Sequence, residues 1–222
     1  MIWRVKMKLS NSTLDVLKNF ANINQNILIE EGNVIRTIST MKNILGRATI
    51  AENFPKEFGI YDLNEFLGVL SLSKDSEIEL DNDSFLSING GKTKIKYFFS
   101  DPSIIVAPPK TFNAPPTDIS FTVTKEVLST VMKAAAVMGL EDLVIDSKGM
   151  KVTDLKNVTS NEFTEELVYD GPEFNINYKI DNLKMIPGNY DVDVSTTSLV
   201  SHWKLQGNQI DYWIALEQTS GE

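Results

Sequence analysis

The sequence predicts an α+β protein of two similar domains, each with two helices backed by antiparallel sheets. Three observations carry this. The chain repeats itself: Met7-Lys8-Leu9-Ser10 leads into apolar residues at helical spacing (Leu14, Leu17, Ala21), and Phe121-Thr122-Val123-Thr124 leads into Val127, Leu128, Val131, Met132 and Ala135. A second pair of matching segments follows, Ile60-Tyr61-Asp62-Leu63-Asn64 in one half and Ile180-Asp181-Asn182-Leu183-Lys184 in the other. A proline-rich connector, Asp101-Pro102-Ser103-Ile104-Ile105-Val106-Ala107-Pro108-Pro109 running on to Ala114-Pro115-Pro116, separates the halves. The expected divisions are 1–100, a connector over 101–118, and 119–222.

Each element has a local reason. Ser10 or Asn11 caps a helix ending near Ile23. Strands are expected over 25–30 and 34–39, joined by the hairpin signal Glu31-Gly32-Asn33, then over 47–52 and 58–61. Leu63, Phe66, Leu67 and Leu70 mark a second helix over 63–72. Strands over 77–80, 85–88 and 94–99 close the first half. The second half repeats the order: a helix over 125–138, strands near 143–146, 151–154, 162–169 and 173–178, and a short helix over 181–185 stopped by Pro187-Gly188. Strands over 190–194, 201–206 and 212–217 complete it. Such halves place sheets on one side and helices on the other.

Composition narrows the function. The 222 residues are 42% hydrophobic, which is enough for a core in each half. There is no cysteine, so disulfides, thiolate metal sites and cysteine nucleophiles are excluded. No stretch is apolar enough to span a membrane, and the expected setting is cytosolic. Residues 1–110 hold 13 Lys/Arg and 13 Asp/Glu; residues 111–222 hold 8 and 17, so the whole net charge of −9 lies in the second half. An acidic surface repels a polyanion at long range, so any nucleic-acid role must rest on segregated lysines or on topology.

Catalytic patterns fail one by one. Gly91-Lys92-Thr93 ends like a phosphate-binding loop, but Leu86 stands where glycine is required, and a hairpin turn is the expectation. Asp81-Asn82-Asp83 lacks the spacing and glycine of a calcium loop. Asp191 and Asp193 share a strand face, with no third acid to make a metal or acid–base site. His202, the one histidine, has no serine partner. The expectation is a protein without enzymatic activity, cofactor or metal.

Several segments taken in order resemble the sliding clamps of T-even-type bacteriophages. They are Ile60 to Leu72 (IYDLNEFLGVLSL), Leu17-Lys18-Asn19-Phe20-Ala21 with Ile23-Asn24, Asp101-Pro102-Ser103 with Val106-Ala107-Pro108, Lys184-Met185 with Pro187-Gly188-Asn189-Tyr190, and Ala215-Leu216-Glu217. The resemblance runs from Met7 to about Glu217 and departs before Met7 and over 42–56. It implies a ring-forming homotrimer of DNA-clamp domains that encircles duplex DNA without reading its sequence and tethers the replicative DNA polymerase. The ring would be opened by a separate clamp loader, meet late-transcription factors, and work in the cytoplasm of the infected bacterial host.

Under that resemblance, Lys18, Lys74, Lys125, Lys133 and Lys184 are expected to face DNA from the helices, by phosphate contacts that carry no sequence information. Lys92, Lys94 and Lys96 alternate on the last strand of the first half, while Glu162, Glu165 and Glu166 crowd a strand of the second. Opposite charges on two strand edges suit a subunit interface, with Tyr97, Phe98 and Phe99 adding apolar burial. Ile104, Ile105, Val106, Ala107 and Pro108 read as an exposed apolar strip, and the resemblance implies a pocket near Ala215 and Leu216 that takes partner peptides. Two rivals stand beside this reading: a strand-rich phage assembly protein that oligomerises without DNA, and, more remotely, a hydrolase using Asp191 and Asp193.

Overall fold

The computed structural model describes residues 5–73, 75–80 and 82–218. The chain divides between Lys110 and Thr111 into two compact units.

The first unit runs β1 (Val5–Met7), α1 (Asn11–Ile23), β2 (Ile27–Ile29), β3 (Gly32–Ile38), β4 (Ile44–Phe54), β5 (Phe58–Ile60), α2 (Leu63–Ser71), β6 (Glu77–Leu80), β7 (Phe85–Gly90) and β8 (Thr93–Phe98). The second runs β9 (Ile119–Val123), α3 (Lys125–Met138), β10 (Asp142–Asp146), β11 (Gly149–Thr153), β12 (Phe163–Glu166), β13 (Asn175–Lys179), a 3-10 turn (Ile180–Asn182), β14 (Tyr190–Ser195), β15 (Val200–Leu205) and β16 (Ile210–Ala215). The order is the same except that a 3-10 turn stands where the first unit has α2. The antiparallel sheet β1-β6-β7-β8 of the first unit has the same connectivity as β9-β14-β15-β16 of the second. This is the α+β duplication read from the sequence.

The helices start where short polar side chains can accept from exposed backbone amides. Ser10 Oγ accepts from the Thr13 amide, Asp62 from Glu65 and Thr124 from Val127. The amide of Glu65, aided by the side chain of Gln25, holds the Asp62 carboxyl below its ordinary range. A second support ties α1 to the strand behind it. Glu52 on β4 accepts from the Ser10 amide and the Thr13 hydroxyl. Burial alone would raise the Glu52 pKa, but these hydrogen bonds outweigh it and lower the value.

Two expectations are corrected. Among the described residues the second unit has no second α-helix: the segment expected over 181–185 is the single 3-10 turn Ile180–Asn182, and Lys184 lies beyond it. Ile186 precedes Pro187, which disfavours helical backbone there, so no further turn can form. The hairpin expected at Glu31-Gly32-Asn33 is also absent. There β2 pairs with β5 and β3 with β4. Gly32 takes φ +113°, a conformation open to glycine, and the β3–β4 register slips between Gly32 and Val34. In the second unit the matching strands, β10 and β11, do form a hairpin.

The core of the second unit centres on Trp203, which is fully buried. Its ring meets those of Phe121, Tyr178 and Tyr190 edge-on, with centroids 5.9–6.5 Å apart. Its indole N–H donates to Ser201 Oγ at 2.9 Å, which in turn donates to the Ile214 carbonyl at 3.1 Å. In the first unit α1 and α2 pack together, and Leu17 and Phe20 of α1 and Leu63 and Phe66 of α2 are buried.

Candidate functional site

The acidic and histidine residues that could have signalled chemistry belong to a charge ladder on one sheet face. Asp193 accepts from Lys204 Nζ at 2.6 Å and Ser120 Oγ at 2.7 Å. Burial pushes the Asp193 carboxyl up, yet these two donors hold it below its usual value. Asp191 accepts from Gln206 at 2.7 Å. The His202 ring stacks on Trp213 with centroids 4.3 Å apart, its Nε2 lies 3.0 Å from Asp211 Oδ1, and Phe112 meets Trp213 edge-on at 5.2 Å. Each group is matched across neighbouring strands, as cross-strand pairing favours. Among the described residues no three His, Asp or Glu side chains converge as metal ligands. Gly91 and Lys92 form the two-residue loop between β7 and β8, with positive φ at Gly91, so this motif is a hairpin turn.

The lysines expected on helix faces fall differently. Lys125 and Lys133 are both exposed on α3, two turns apart. Lys18 is exposed on α1 and pairs with Asp15 at 3.0 Å, a contact of two solvated groups worth about 0–1 kcal/mol. Lys184 is exposed on the non-helical stretch after the 3-10 turn. Lys74 lies outside the described residues.

The strands expected at a subunit joint are terminal strands: β8 ends the sheet β1-β6-β7-β8, and β12 ends the sheet β12-β11-β10-β13. On β8 the side chains separate. Lys94, Lys96 and Phe98 are exposed on one face, with Phe98 at 62%, and Lys96 Nζ lies 4.1 Å from the centre of the Phe85 ring. Tyr97 and Phe99 turn inward. Tyr97 packs edge-on against Phe66 at 5.2 Å and donates to the Asp62 carbonyl, and Phe99 lies against Phe58 at 4.8 Å. Burial, with the negative charges of Glu65 and Asp62, pushes the Tyr97 hydroxyl up to about 12. These two rings serve the core of their own unit, and Phe98 alone of the three faces outward. Lys92 is exposed in the hairpin loop. Glu166 is exposed on β12, Glu165 is half-buried there, and Glu162 precedes the strand and pairs with Lys151 at 3.1 Å.

The loop leading into β12 hangs on a residue that pattern reading passed over. Asp142 is 2% exposed and accepts from Lys179 Nζ and, at 3.0 Å, from the Leu155 amide. The hydrogen bond to Asp142 raises the Lys179 pKa. A raised lysine pKa means that the pair stabilises the fold below the ordinary lysine value and loses this contribution as pH rises through the higher folded value. Asp142→Ala strands the Leu155 amide and leaves Lys179 to water. It is expected to cost about 2 kcal/mol and to speed hydrogen exchange at Leu155. An unchanged melting temperature with native exchange at Leu155 would refute that role.

The connector residues 100–110 lie within the first unit and are fastened through their main chain. The Ser100 amide donates to the Gly59 carbonyl at 2.9 Å, and the Val106 amide to Asn26 Oδ1 at 3.0 Å. Asn24 Nδ2 donates to the Val106 carbonyl at 3.3 Å, and Arg36 Nη1 to the carbonyls of Pro109 and Lys110 at 3.0 and 3.1 Å. A Cβ on Gly59 would sit 2.7 Å from the Ser100 carbonyl oxygen, so glycine is required for this approach. The expected apolar strip is therefore split: Ile104 is 55% exposed, Ile105 is buried as an anchor, and Val106 and Ala107 are exposed, with Pro108 half-buried. In the second unit Leu216 is buried and Ala215 half-buried. Asn24, Asn26 and Arg36 were missed at the sequence level. The one hint was the polar triplet Asn24-Gln25-Asn26 set between Ile23 and the apolar run Ile27-Leu28-Ile29.

A duplicated α+β chain with lysine-bearing helices, charged terminal strands and a pinned connector has close counterparts. A family model described as DNA polymerase processivity factor matches residues 8–107. The sliding clamp of Vibrio phage KVP40 is 30% identical over 225 residues, covering 95% of this chain and 99% of that protein. The sliding clamp of Enterobacteria phage T4 is 31% identical over 224 residues, covering 96% and 98%. In fold, a chain of the structure titled "C-terminal region of FEN-1 bound to A. fulgidus PCNA" matches with a TM-score of 0.72 at 16% identity, over 98% of this chain and 99% of that one. This chain belongs to the sliding-clamp family of DNA polymerase processivity factors. Members of that family are processivity factors rather than catalysts.

Proposed function

We propose that three copies of this chain close head to tail into a ring that encircles duplex DNA and tethers the replicative polymerase. The observation that carries the reading is the pair of terminal strands, a lysine-bearing β8 in one unit and a glutamate-bearing β12 in the other. Two different patches that match each other make a heterologous contact, and such contacts close into rings when the rotation allows. Lys18, Lys125, Lys133 and Lys184 would supply non-specific attraction to phosphates, and the excess acid of the second half would discourage binding elsewhere. Retention then comes from topology, so the protein needs no catalytic site of its own. Within the infected host's cytoplasm a clamp loader would open the ring, and late-transcription factors would be further clients. The exposed Ile104 and Val106 on the pinned connector suit short peptide tails of such clients.

The test loads the protein onto nicked circular DNA with a cognate loader and ATP, then linearises the circle. A ring slides off the new ends; a conventional binder stays, and retention after cutting would end the proposal. The double variant Lys18→Glu, Lys133→Glu should remain trimeric while its loaded fraction falls by about tenfold, given that each phosphate contact contributes to a salt-dependent affinity. Normal loading of this variant would remove both lysines from that role.

A further inference from the structure

In the first unit, α2 packs on α1, and each helix buries apolar residues. In the second, the place of α2 in the order is taken by one 3-10 turn and the extended stretch after it. A groove of about 350 Å³ remains on α3. Its floor is Leu128, Met132 and Ala136, spaced i, i+4, i+8 along one helix face, with Leu183, Met185 and Pro187 opposite. Lys125 and Lys133 line the same groove, about 12 Å apart along the helix, and no acidic residue lines it.

We infer that this groove docks an amphipathic peptide segment of a partner protein, with apolar side chains between Met132 and Met185 and carboxylates against Lys125 and Lys133. Charge complementarity selects the occupant. An apolar segment without acids leaves two lysines unmatched. A duplex offers phosphates to the lysines but nothing to fill a floor of leucine, methionine and proline. A helix with apolar residues at i, i+3/i+4 and i+7 and acidic flanks satisfies both, in the manner of helix-in-groove recognition. Met132 and Met185 give the groove unbranched, adaptable side chains that fit varied anchors. Because the same two lysines are assigned to DNA above, docking and DNA passage would exclude one another; this corollary alone rests on that reading.

The probe is a displayed library of random 16-residue peptides. It is panned on the wild-type protein and counter-selected on Met132→Glu, which places a charge on the groove floor. Enrichment of sequences with apolar residues at helical spacing and flanking Asp or Glu is the expected result. A selected peptide, made synthetically, should shift the methyl NMR signals of Met132 and Met185 and bind Lys125→Ala, Lys133→Ala at least tenfold more weakly. No enrichment, or enrichment of basic or wholly apolar sequences, overturns the inference. So does binding that leaves those methyl signals unmoved, or a groove filled by a second copy, seen as self-association that Met132→Glu abolishes. Loading the peptide complex onto nicked circular DNA tests the corollary separately: a loaded ring that keeps its peptide would remove the exclusion and leave the docking site standing.

Discussion

Lys96→Pro is expected to weaken the proposed ring assembly by about 10–100-fold while leaving the subunit folded. The β7–β8 hairpin has a two-residue loop, Gly90 opposite Thr93, so hydrogen-bonded and non-hydrogen-bonded pairs alternate from there. The Phe99 amide donates to the Ser84 carbonyl, which fixes the parity. The amides of Thr93, Ile95 and Tyr97 thus turn toward β7, and those of Lys94, Lys96 and Phe98 turn toward the open edge. Proline at 96 removes an outward donor and a charge without touching the internal ladder, which is why proline is tolerated on edge strands. A lost edge hydrogen bond together with the new ring's bulk should raise the dissociation constant of the proposed trimer by about 10–100-fold. Sedimentation reads the assembly and far-ultraviolet circular dichroism reads the fold. A trimer of undiminished affinity would mean that β8 is not the joining edge. Lys96→Gln separates the charge from the backbone: if the edge pairs through its main chain, that variant keeps most of the assembly, since an exposed ion pair contributes only about 0–1 kcal/mol.

The largest loss of stability is expected from Trp203→Ala. The side chain is fully buried among Phe121, Tyr178 and Tyr190, and its removal leaves a cavity too crowded by rings to collapse. Ser201 Oγ also loses the indole donor that orients it toward the Ile214 carbonyl. Together these should cost about 3–5 kcal/mol. For a chain of this length that corresponds to a melting temperature lowered by about 10 °C. Trp203→Phe retains most of the packing and should lose less than half as much. A calorimetric change below about 1 kcal/mol for the alanine variant would show that this aromatic cluster does not hold the second unit together.

Much of the fold could be read from local chemistry. Ser10, Asp62 and Thr124 each stand before an apolar run at helical spacing and accept from an amide three residues on, so α1, α2 and α3 were legible from capping and period together. The same reasoning failed over 180–188. Ile180-Asp181-Asn182-Leu183 copies the opening of α2, but the residues that would sustain a second turn run into Pro187. The β2–β3 hairpin failed for a related reason: a glycine flanked by strands reads the same whether it turns the chain back on itself or bends it into a different pairing, and only tertiary contacts decide. At the site, the alternation of Lys94 and Lys96 did mark an exposed strand face, because charge at period two needs solvent, while Lys92 fell in the loop before it. Tyr97 and Phe99, of the opposite parity, belonged to the inner face, and strict attention to the pleat would have assigned them there. Arg36 could not have been linked to Pro109 and Lys110, more than 70 residues away, since no local pattern encodes which carbonyls a distant guanidinium will meet.

The fasteners of the connector grip peptide groups and ignore side chains. Asn24, Asn26, Arg36 and the Gly59 carbonyl would hold almost any residue at positions 100, 106, 109 and 110 equally well. Mechanical attachment is thereby uncoupled from chemical identity. If clients dock at Ile104 and Val106 as proposed, substitutions there could follow those clients as they diverge while the segment stays seated, and a replication machine could swap its clientele without rebuilding its chassis.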